Sequence, residues 1–414
     1  MTTSALTPSG TSHPAGDTPT AALAALATSA GRADPHPWYA RLHALGPANL
    51  TDDGSLVAVG YHTCTTLLRD HRLRKSPDRL LTVSGYPDWE QHPALRMMFA
   101  SMLMLNPPEH TRLRRAVSAA FTPARIALLE PAITRLTDGL LDRLDAAGPV
   151  VDFIDGFAFP LPVTVIGELL GIPAADRPRF QDLAWDWTTV LDDLSPEAVA
   201  RADQAAAVIE NYLGDLAASR RANPGDDLLS ALVSGPDPLP ASDVTTTAAL
   251  LLAAGFETTT SLLANGLTAL LAHPDQAALL RADPELAAPA VEELLRYDSP
   301  VQILYGRTTT AGVDIAGLRA PEGTRVITLV GAANRDPRVY VDPDRLNIRR
   351  DGPPPLSFGG GVHYCLGAPL ARLEGRVAFP RLVNRFPTLR LAGPPVPRDG
   401  LTLRGFTGLP VQLR

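Results

Sequence analysis

The chain has 414 residues, enough for one large hydrophobic core or two smaller ones. Its 37 basic and 44 acidic side chains leave a formal charge of −7, which argues against a nucleic-acid partner, since that needs a concentrated basic patch. Two cysteines, Cys64 and Cys365, are too few for a disulfide framework and point to a reducing, cytoplasmic setting.

Residues 1–30 are rich in Ser, Thr, Pro, Gly and Ala and are expected to be a disordered tail ahead of one domain spanning 31–414. Within the tail, AALAALATSA has the look of a signal-peptide core. No Lys or Arg precedes Arg32, so a signal peptide is not expected. ADPHPWYARLHALG then reads as a short helix, LVAVGY as a strand, and YHTCTTLLRD as a helix with Cys64 in its core face. Lys75 follows, the only lysine in the chain. From Ser76 to Met104 Pro, Gly and aromatic residues recur without period, which predicts a long loop.

Helical periodicity dominates from Pro107 to about Arg220. It places Leu128, Leu129, Ile133, Leu136, Leu140 and Leu141 on one side of a helix. The longest apolar run, Ser242–Ala272, predicts a helix with Ser242 as its N-cap, Asp243 in its first turn and a length of roughly 45 Å. Glu257 is its only charge between Asp243 and His273. A carboxylate and a Thr cluster at the midpoint favour a buried core helix over a lipid-facing one, so no membrane association is expected. After Val301 the pattern turns to β: VDIAGLRAPEGTRVITLV reads as strand, turn and strand, and LTLRGFTGLPVQLR as a hairpin. The sum is a mainly α fold with a minor β portion.

The most informative stretch is LSFGGGVHYCLGAPLARLEGRV. Gly359, Gly360 and Gly361 permit positive φ and close approach to a flat group. Cys365 opens the helix that follows, with Leu366, Leu370, Leu373 and Val377 as its apolar stripe. A cysteine there meets amide N–H groups and the positive end of the helix dipole, which stabilise a thiolate. On these residues alone Cys365 is a nucleophile, a metal ligand or a buried thiol.

Phe358, Gly361, His363, Cys365 and Gly367 together resemble the haem-binding signature of the cytochrome P450 family. The resemblance extends over nearly the whole chain after the tail, and is strongest to soluble bacterial members of actinomycete secondary metabolism. It implies a single-domain P450 fold with haem b (iron protoporphyrin IX) between the long central helix and the Cys-loop helix. Cys365 would be the iron ligand, Gly359 and Gly367 would approach the haem closely, and Phe358 would contact it. His110, Arg114, Arg307 and His363 would hold the two propionates, Arg by its planar fork. In the long helix AAGFETT resembles the oxygen-activating motif. Ala254 and Gly255 would leave room above the porphyrin. Thr258 could donate to the Ala254 carbonyl one turn back, and the resemblance assigns Thr258 and Glu257 to proton delivery. Glu293 and Arg296, from EELLRY, would form a buried structural pair joined by Arg345. Pro380 should bend or end the Cys-loop helix.

By the same resemblance Met97, Leu103, Trp187, Leu251, Val301, Ile303, Phe406 and Thr407 would contact substrate. Their mostly apolar character suits a small hydrophobic molecule, a macrolide or other polyketide, with a peptide or terpenoid as the alternative. The chain carries no flavin or nicotinamide fingerprint, so electrons from NAD(P)H would arrive through a ferredoxin reductase and a ferredoxin. Arg112, Arg115, Arg372 and Arg376 are candidates for the ferredoxin's docking face. The expected state is a monomer. A reading from another class is a haem-binding sensor without catalysis.

Overall fold

The computed structural model describes residues 18–235 and 237–414. Residues 1–17, part of the segment expected to be disordered, lie outside the described residues. The remainder of that segment is folded: Pro19–Leu26 and Ser29–Ala33 are helices. Thr18 and Thr28 cap them through their side-chain oxygens, and Ala22 and Leu26 pack into a small core with Tyr39 and Leu42. Composition hid these helices because Ala-rich turns gain stability only from the surface they bury.

Helices make up most of the described chain, with four small sheets beside them. The long helix runs Ala241–Ala272 and is buried on nearly every side. It begins one residue before Ser242, behind Pro240, and has no side-chain cap. It is the one helix among the described residues that is by itself long and apolar enough to cross a membrane, but 83% of its most apolar stretch lies inside the protein. Helix Pro160–Leu170 packs closely on it: a Cβ at Gly255 would come within 2.8 Å of Ile166.

The largest sheet has five strands in the order Ala48–Leu50, Leu56–Ala58, Arg325–Leu329, Ile303–Thr309, Leu73–Lys75. One pair, Leu56–Ala58 with Arg325–Leu329, is parallel; the others are antiparallel. The register sets Lys75 opposite Arg307. The two strands flanking the Pro-Glu-Gly turn exist, but Leu318–Ala320 pairs backwards with Val313–Ile315 and not across that turn. The C-terminal segment is likewise not a hairpin of its own: Phe406–Gly408 pairs with Val396–Pro397, and Pro410–Gln412 with Val150–Asp152 and Arg390–Leu391.

Ser76–Met104 is not one loop, since it contains helices Pro77–Val83 and Pro93–Phe99. Each is seven residues, too short for a 3.6-residue period to stand out. In helix Glu130–Ala147 Ile133, Leu140 and Leu141 are buried as expected, whereas Leu128 precedes the helix and is exposed. The Cys-loop helix, Ala368–Arg385, continues past Pro380, so the proline does not end it.

Candidate active site

The loop before the Cys-loop helix is closed by the Cys365 amide, which donates to the Phe358 carbonyl at 2.9 Å. Gly359 and Gly361 sit at φ of 68° and 64°. A Cβ at Gly361 would also meet the Leu68 carbonyl oxygen at 2.4 Å, so glycine is required there twice over. Cys365 lies just ahead of the helix, whose first residue is Ala368 with Gly367 as N-cap. Burial pushes the Cys365 thiol up, while the amides of Gly367 and Ala368 and the charges of Arg114 and Arg372 pull it down. Phe358 is held under the Arg372 guanidinium, 4.4 Å from its ring centre.

Cys365 shares one cavity of about 1400 Å³ with the middle of the long helix. Ala254, Gly255, Glu257 and Thr258 line it, with Leu251 and Leu262 above and below. The Thr258 hydroxyl donates to the Ala254 carbonyl at 2.7 Å, as the spacing suggested. Glu257 is buried and turned to another wall, where its carboxylate accepts from the Thr188 hydroxyl at 3.0 Å and lies 3.5 Å from Arg398 Nη1. Burial raises its pKa, and Arg398 and Thr188 offset part of that. Neither Thr188 nor Arg398 stood out in the sequence. Gly255 lines the cavity too, but its missing Cβ chiefly serves the approach of Ile166.

Basic side chains gather along one side of the cavity. His110 and His363 have ring centres 4.5 Å apart, and His110 Nδ1 is buried with no partner. Arg114 reaches the carbonyl of Val362 at 3.3 Å. Arg307 uses Nη1 to bind the carbonyls of Leu67 and Leu68, near the end of helix Tyr61–Arg69, at 3.2 and 3.3 Å. Lys75, absent from the sequence-based set, joins them. Its ammonium donates to the Tyr305 carbonyl at 2.7 Å, and burial with the neighbouring Arg307 pushes it down to about 7. Burial and the charges of Lys75, His110, Arg307 and Arg114 push His363 down to about 3. The charges acting on Lys75, His110 and His363 are all positive. Such a set is tolerated when an anion completes it. The one signal for Lys75 in the sequence was its being the sole lysine where every other fixed cation is arginine.

A cysteine backed by amides, a threonine-bearing helix across a large cavity and a wall of cations thus belong to one site. The family model for cytochrome P450 matches residues 163–402. Cytochrome P450 monooxygenase PikC of Streptomyces venezuelae is 42% identical over 394 residues, 92% of each chain. The chain belongs to the cytochrome P450 family. 6-Deoxyerythronolide B hydroxylase of Saccharopolyspora erythraea is 41% identical over 395 residues, 91% of this chain and 95% of that one. The crystal structure of P450BioI in complex with hexadec-9Z-enoic acid ligated acyl carrier protein superposes with a TM-score of 0.87 at 34% identity, covering 93% of this chain and all of that one. This P450 is therefore a monooxygenase, and the sensor reading is set aside. Family membership implies a haem iron, and the residues present fit one. The orphaned His110 nitrogen and the unopposed cations suit its two carboxylates, and the amide-backed sulfur suits its iron.

The scaffold behind the Cys loop differs from expectation in one arginine. Arg296 binds both Glu293 oxygens at 2.7 and 2.9 Å, and both residues are buried. The third member is Arg350, whose Nε lies 3.1 and 3.0 Å from the same oxygens. Arg345 is exposed and offers only its carbonyl, to Arg296 and Arg350. Arg296 also binds the Asn334 carbonyl, and the Asn334 side chain holds Leu356 N at 2.7 Å and Ser357 Oγ at 2.9 Å, at the start of the Cys loop.

Of the expected substrate contacts, Leu103, Leu251, Val301, Ile303 and Thr407 line the cavity. Met97 does not: it is buried in the core, and its neighbours Met98 and Phe99 line the cavity instead. Phe406 packs on the core, while Thr407, on the opposite face of the strand, meets the cavity. Trp187 borders the cavity but is fully buried, its indole N–H donating to the Ala94 carbonyl at 3.1 Å. The proposed ferredoxin face is less basic than its composition, for Arg112 pairs with Asp243, Arg372 with Glu292 and Arg376 with Glu130.

Glu374, on the Cys-loop helix, is a further buried acid that the sequence did not mark. Its Oε2 has no hydrogen-bond partner, and burial pushes its pKa up from 4.5 to about 8. The folded protein then keeps a proton that the unfolded chain releases. Stability contributed by this group is greatest below pH 4.5 and falls as pH rises toward 8, by on the order of a few kcal/mol. Glu374→Gln is expected to flatten the fall of Tm between those two pH values and to raise Tm at neutral pH, as read by thermal unfolding of the variant and the parent side by side.

Proposed function

We propose that this P450 hydroxylates or epoxidises a sizeable hydrophobic natural product, a macrolide or another polyketide intermediate. The observation that carries the reading is the single cavity in which the amide-backed Cys365 sulfur and the Thr258 hydroxyl both lie. Its apolar lining, with Leu103, Leu251, Val301 and Ile303, supports a hydrophobic guest in the part of the cavity that the haem would leave open. The relative 6-deoxyerythronolide B hydroxylase, named for its macrolide substrate, supports the polyketide class.

Cys365 would bind the haem iron through Sγ, and Phe358, Gly359, Gly367, Ala254 and Gly255 would border the ring. His110, Arg114, Arg307, His363 and Lys75 would hold the propionates. The haem, when bound, supplies dioxygen activation and oxygen transfer. Thr258 would hand on a proton from its Oγ, fed by Glu257, its neighbour in the chain, once that carboxylate leaves Thr188, while the apolar side chains of the cavity keep bulk water from competing. Electrons would come from NAD(P)H through a ferredoxin reductase and a ferredoxin, in the cytoplasm, to a monomeric enzyme.

The test is turnover with NAD(P)H, a reductase and a ferredoxin, after screening polyketide, peptide and terpene intermediates by their difference spectra. Product is expected only when all three electron components are present, and from a polyketide. A peptide or terpene product in place of a polyketide one would overturn the substrate class. Thr258→Ala is expected to make less product per NAD(P)H consumed and to release more hydrogen peroxide; unchanged coupling would remove Thr258 from the relay.

Lys75→Met is expected to weaken haem binding by about tenfold, the scale of one hydrogen bond to a charged group. Haem transfer to an excess of apomyoglobin measures it. A transfer rate equal to the parent's would leave Lys75 as a purely structural donor to Tyr305.

A further inference from the structure

Both members of the acid–alcohol pair are engaged elsewhere in this structure. Thr258 donates to Ala254 O at 2.7 Å. Glu257 is held by Thr188 and Arg398, and Arg398 Nη2 in turn donates to Thr188 Oγ1 at 2.9 Å. The Thr188 hydroxyl therefore accepts from the guanidinium and donates to the carboxylate. Its other acceptor within reach, the Trp185 carbonyl, is farther off at 3.4 Å. The three residues come from the end of helix Phe180–Thr188, the middle of the long helix and the C-terminal β segment, and all three line the cavity.

The mounting of Arg398 makes this arrangement responsive. Arg398 follows strand Val396–Pro397, and its amide donates to the Gly405 carbonyl at 3.0 Å. Gly405 lies so close to the long helix that a Cβ would meet Ser261 Oγ at 2.5 Å. The loop between them, 398–402, is fastened to the same wall as Thr188. Asp192 accepts from the amides of Leu401 and Thr402 at 3.1 and 2.9 Å, and from the Thr402 hydroxyl at 2.6 Å. Leu401, Thr402 and Leu403 also line the cavity. One loop thus touches the space where a guest sits and carries the cation that holds the acid.

We propose that Arg398 is a positioning residue that keeps the Glu257 carboxylate on Thr188 and off Thr258, and that a molecule filling the cavity against the 398–402 loop releases it. The inference rests on the reading of Glu257 and Thr258 as proton carriers. A buried carboxylate that loses its cation takes up a proton, because the charged form is then left unpaired in a low-dielectric site. As a neutral acid it can donate toward Thr258, and it does so only when the cavity is occupied. No bond is made or broken beyond the transfer of that proton from solvent. The groups facing Glu257 are Arg398 and the Thr188 hydroxyl. Asp192 acts on Arg398 from the other side, and Asp399 is turned outward to Arg32.

The experiment is an infrared pH titration of the holoenzyme, following the carbonyl band of a buried protonated carboxyl assigned by its loss in Glu257→Gln. Arg398→Met is expected to move the titration upward by about one pH unit or more. Arg398→Lys should return it to the parent value, a rescue that mere packing would not give. Filling the parent's cavity with the bulky azole clotrimazole should move the band in the same direction as Arg398→Met. If Arg398→Met does not fold, Arg398→Gln replaces it. An unmoved band in the methionine or glutamine variant overturns the proposal. So does an unmoved band when the visible difference spectrum shows clotrimazole bound. Haem content, read from the visible spectrum of the same samples, reports separately on the haem site, so a failure there is distinguishable from a failure of Arg398.

Discussion

Cys365→Ser is expected to abolish both monooxygenase turnover and the red-shifted Soret band of the ferrous carbonyl complex, while leaving the fold intact. The band depends on an anionic sulfur, and a serine oxygen is a poorer electron donor that stays protonated at neutral pH. Nothing else at the position needs sulfur. The Cys365 amide still closes the loop on Phe358, the positive φ angles belong to Gly359 and Gly361, and the helix begins at Ala368 with Gly367 before it. The substitution therefore isolates the ligand from the scaffold. Circular dichroism and Tm should match the parent once both are stripped of haem, whereas the carbonyl difference spectrum should lose its red-shifted maximum entirely. A Cys365→Ser protein that kept the band would remove sulfur from the iron and with it the proposed chemistry. The remaining cysteine offers no substitute. Cys64 is fully buried in a separate core cluster, and burial pushes its thiol far up.

Where the sequence was legible, local chemistry and spacing carried the information. Three glycines before a cysteine can be read without tertiary knowledge, because positive φ is a property of the residue itself. The Thr258-to-Ala254 bond follows from helical spacing alone. Errors arose where a one-residue phase decided which side faced what. Met97 and Met98 are adjacent on a seven-residue helix, and Phe406 and Thr407 on a three-residue strand, so apolar character could not say which met the cavity. The C-terminal β segments failed for another reason: their partners, Val150–Asp152 and Arg390–Leu391 among them, are set by long-range packing that no local alternation encodes. Arg398 escaped notice because a single arginine in a Pro- and Gly-rich stretch carries no periodicity, and its meaning comes from Glu257, distant in the chain.

The buried ion pair shows the same limit and supports the second large effect. Glu293→Ala is expected to destabilise the protein by ~3–5 kcal/mol, the cost of removing one partner from a buried charged pair. The reason lies in the count of donors left behind. Glu293 accepts from two Arg296 nitrogens, from Arg350 Nε and from the Asn347 amide at 2.8 Å. Without the carboxylate two guanidinium groups face each other with little solvent to screen them. Arg296 cannot readily turn away, because its Nη1 also binds the carbonyls of Asn334 and Pro343 at 3.0 and 2.8 Å. Arg350→Ala should cost less, since the Glu293 carboxylate keeps its bidentate pair with Arg296. Arg345→Ala should cost almost nothing, because its contribution is a backbone carbonyl that alanine keeps. Urea unfolding of the three variants ranks them directly. The decisive comparison is Arg345 against Arg350: an Arg345→Ala loss as large as that of Arg350→Ala would contradict the geometry. Because Asn334 ties Arg296 to Leu356 and Ser357, Glu293→Ala is also expected to loosen the Cys loop, seen as faster haem loss at temperatures well below its own unfolding.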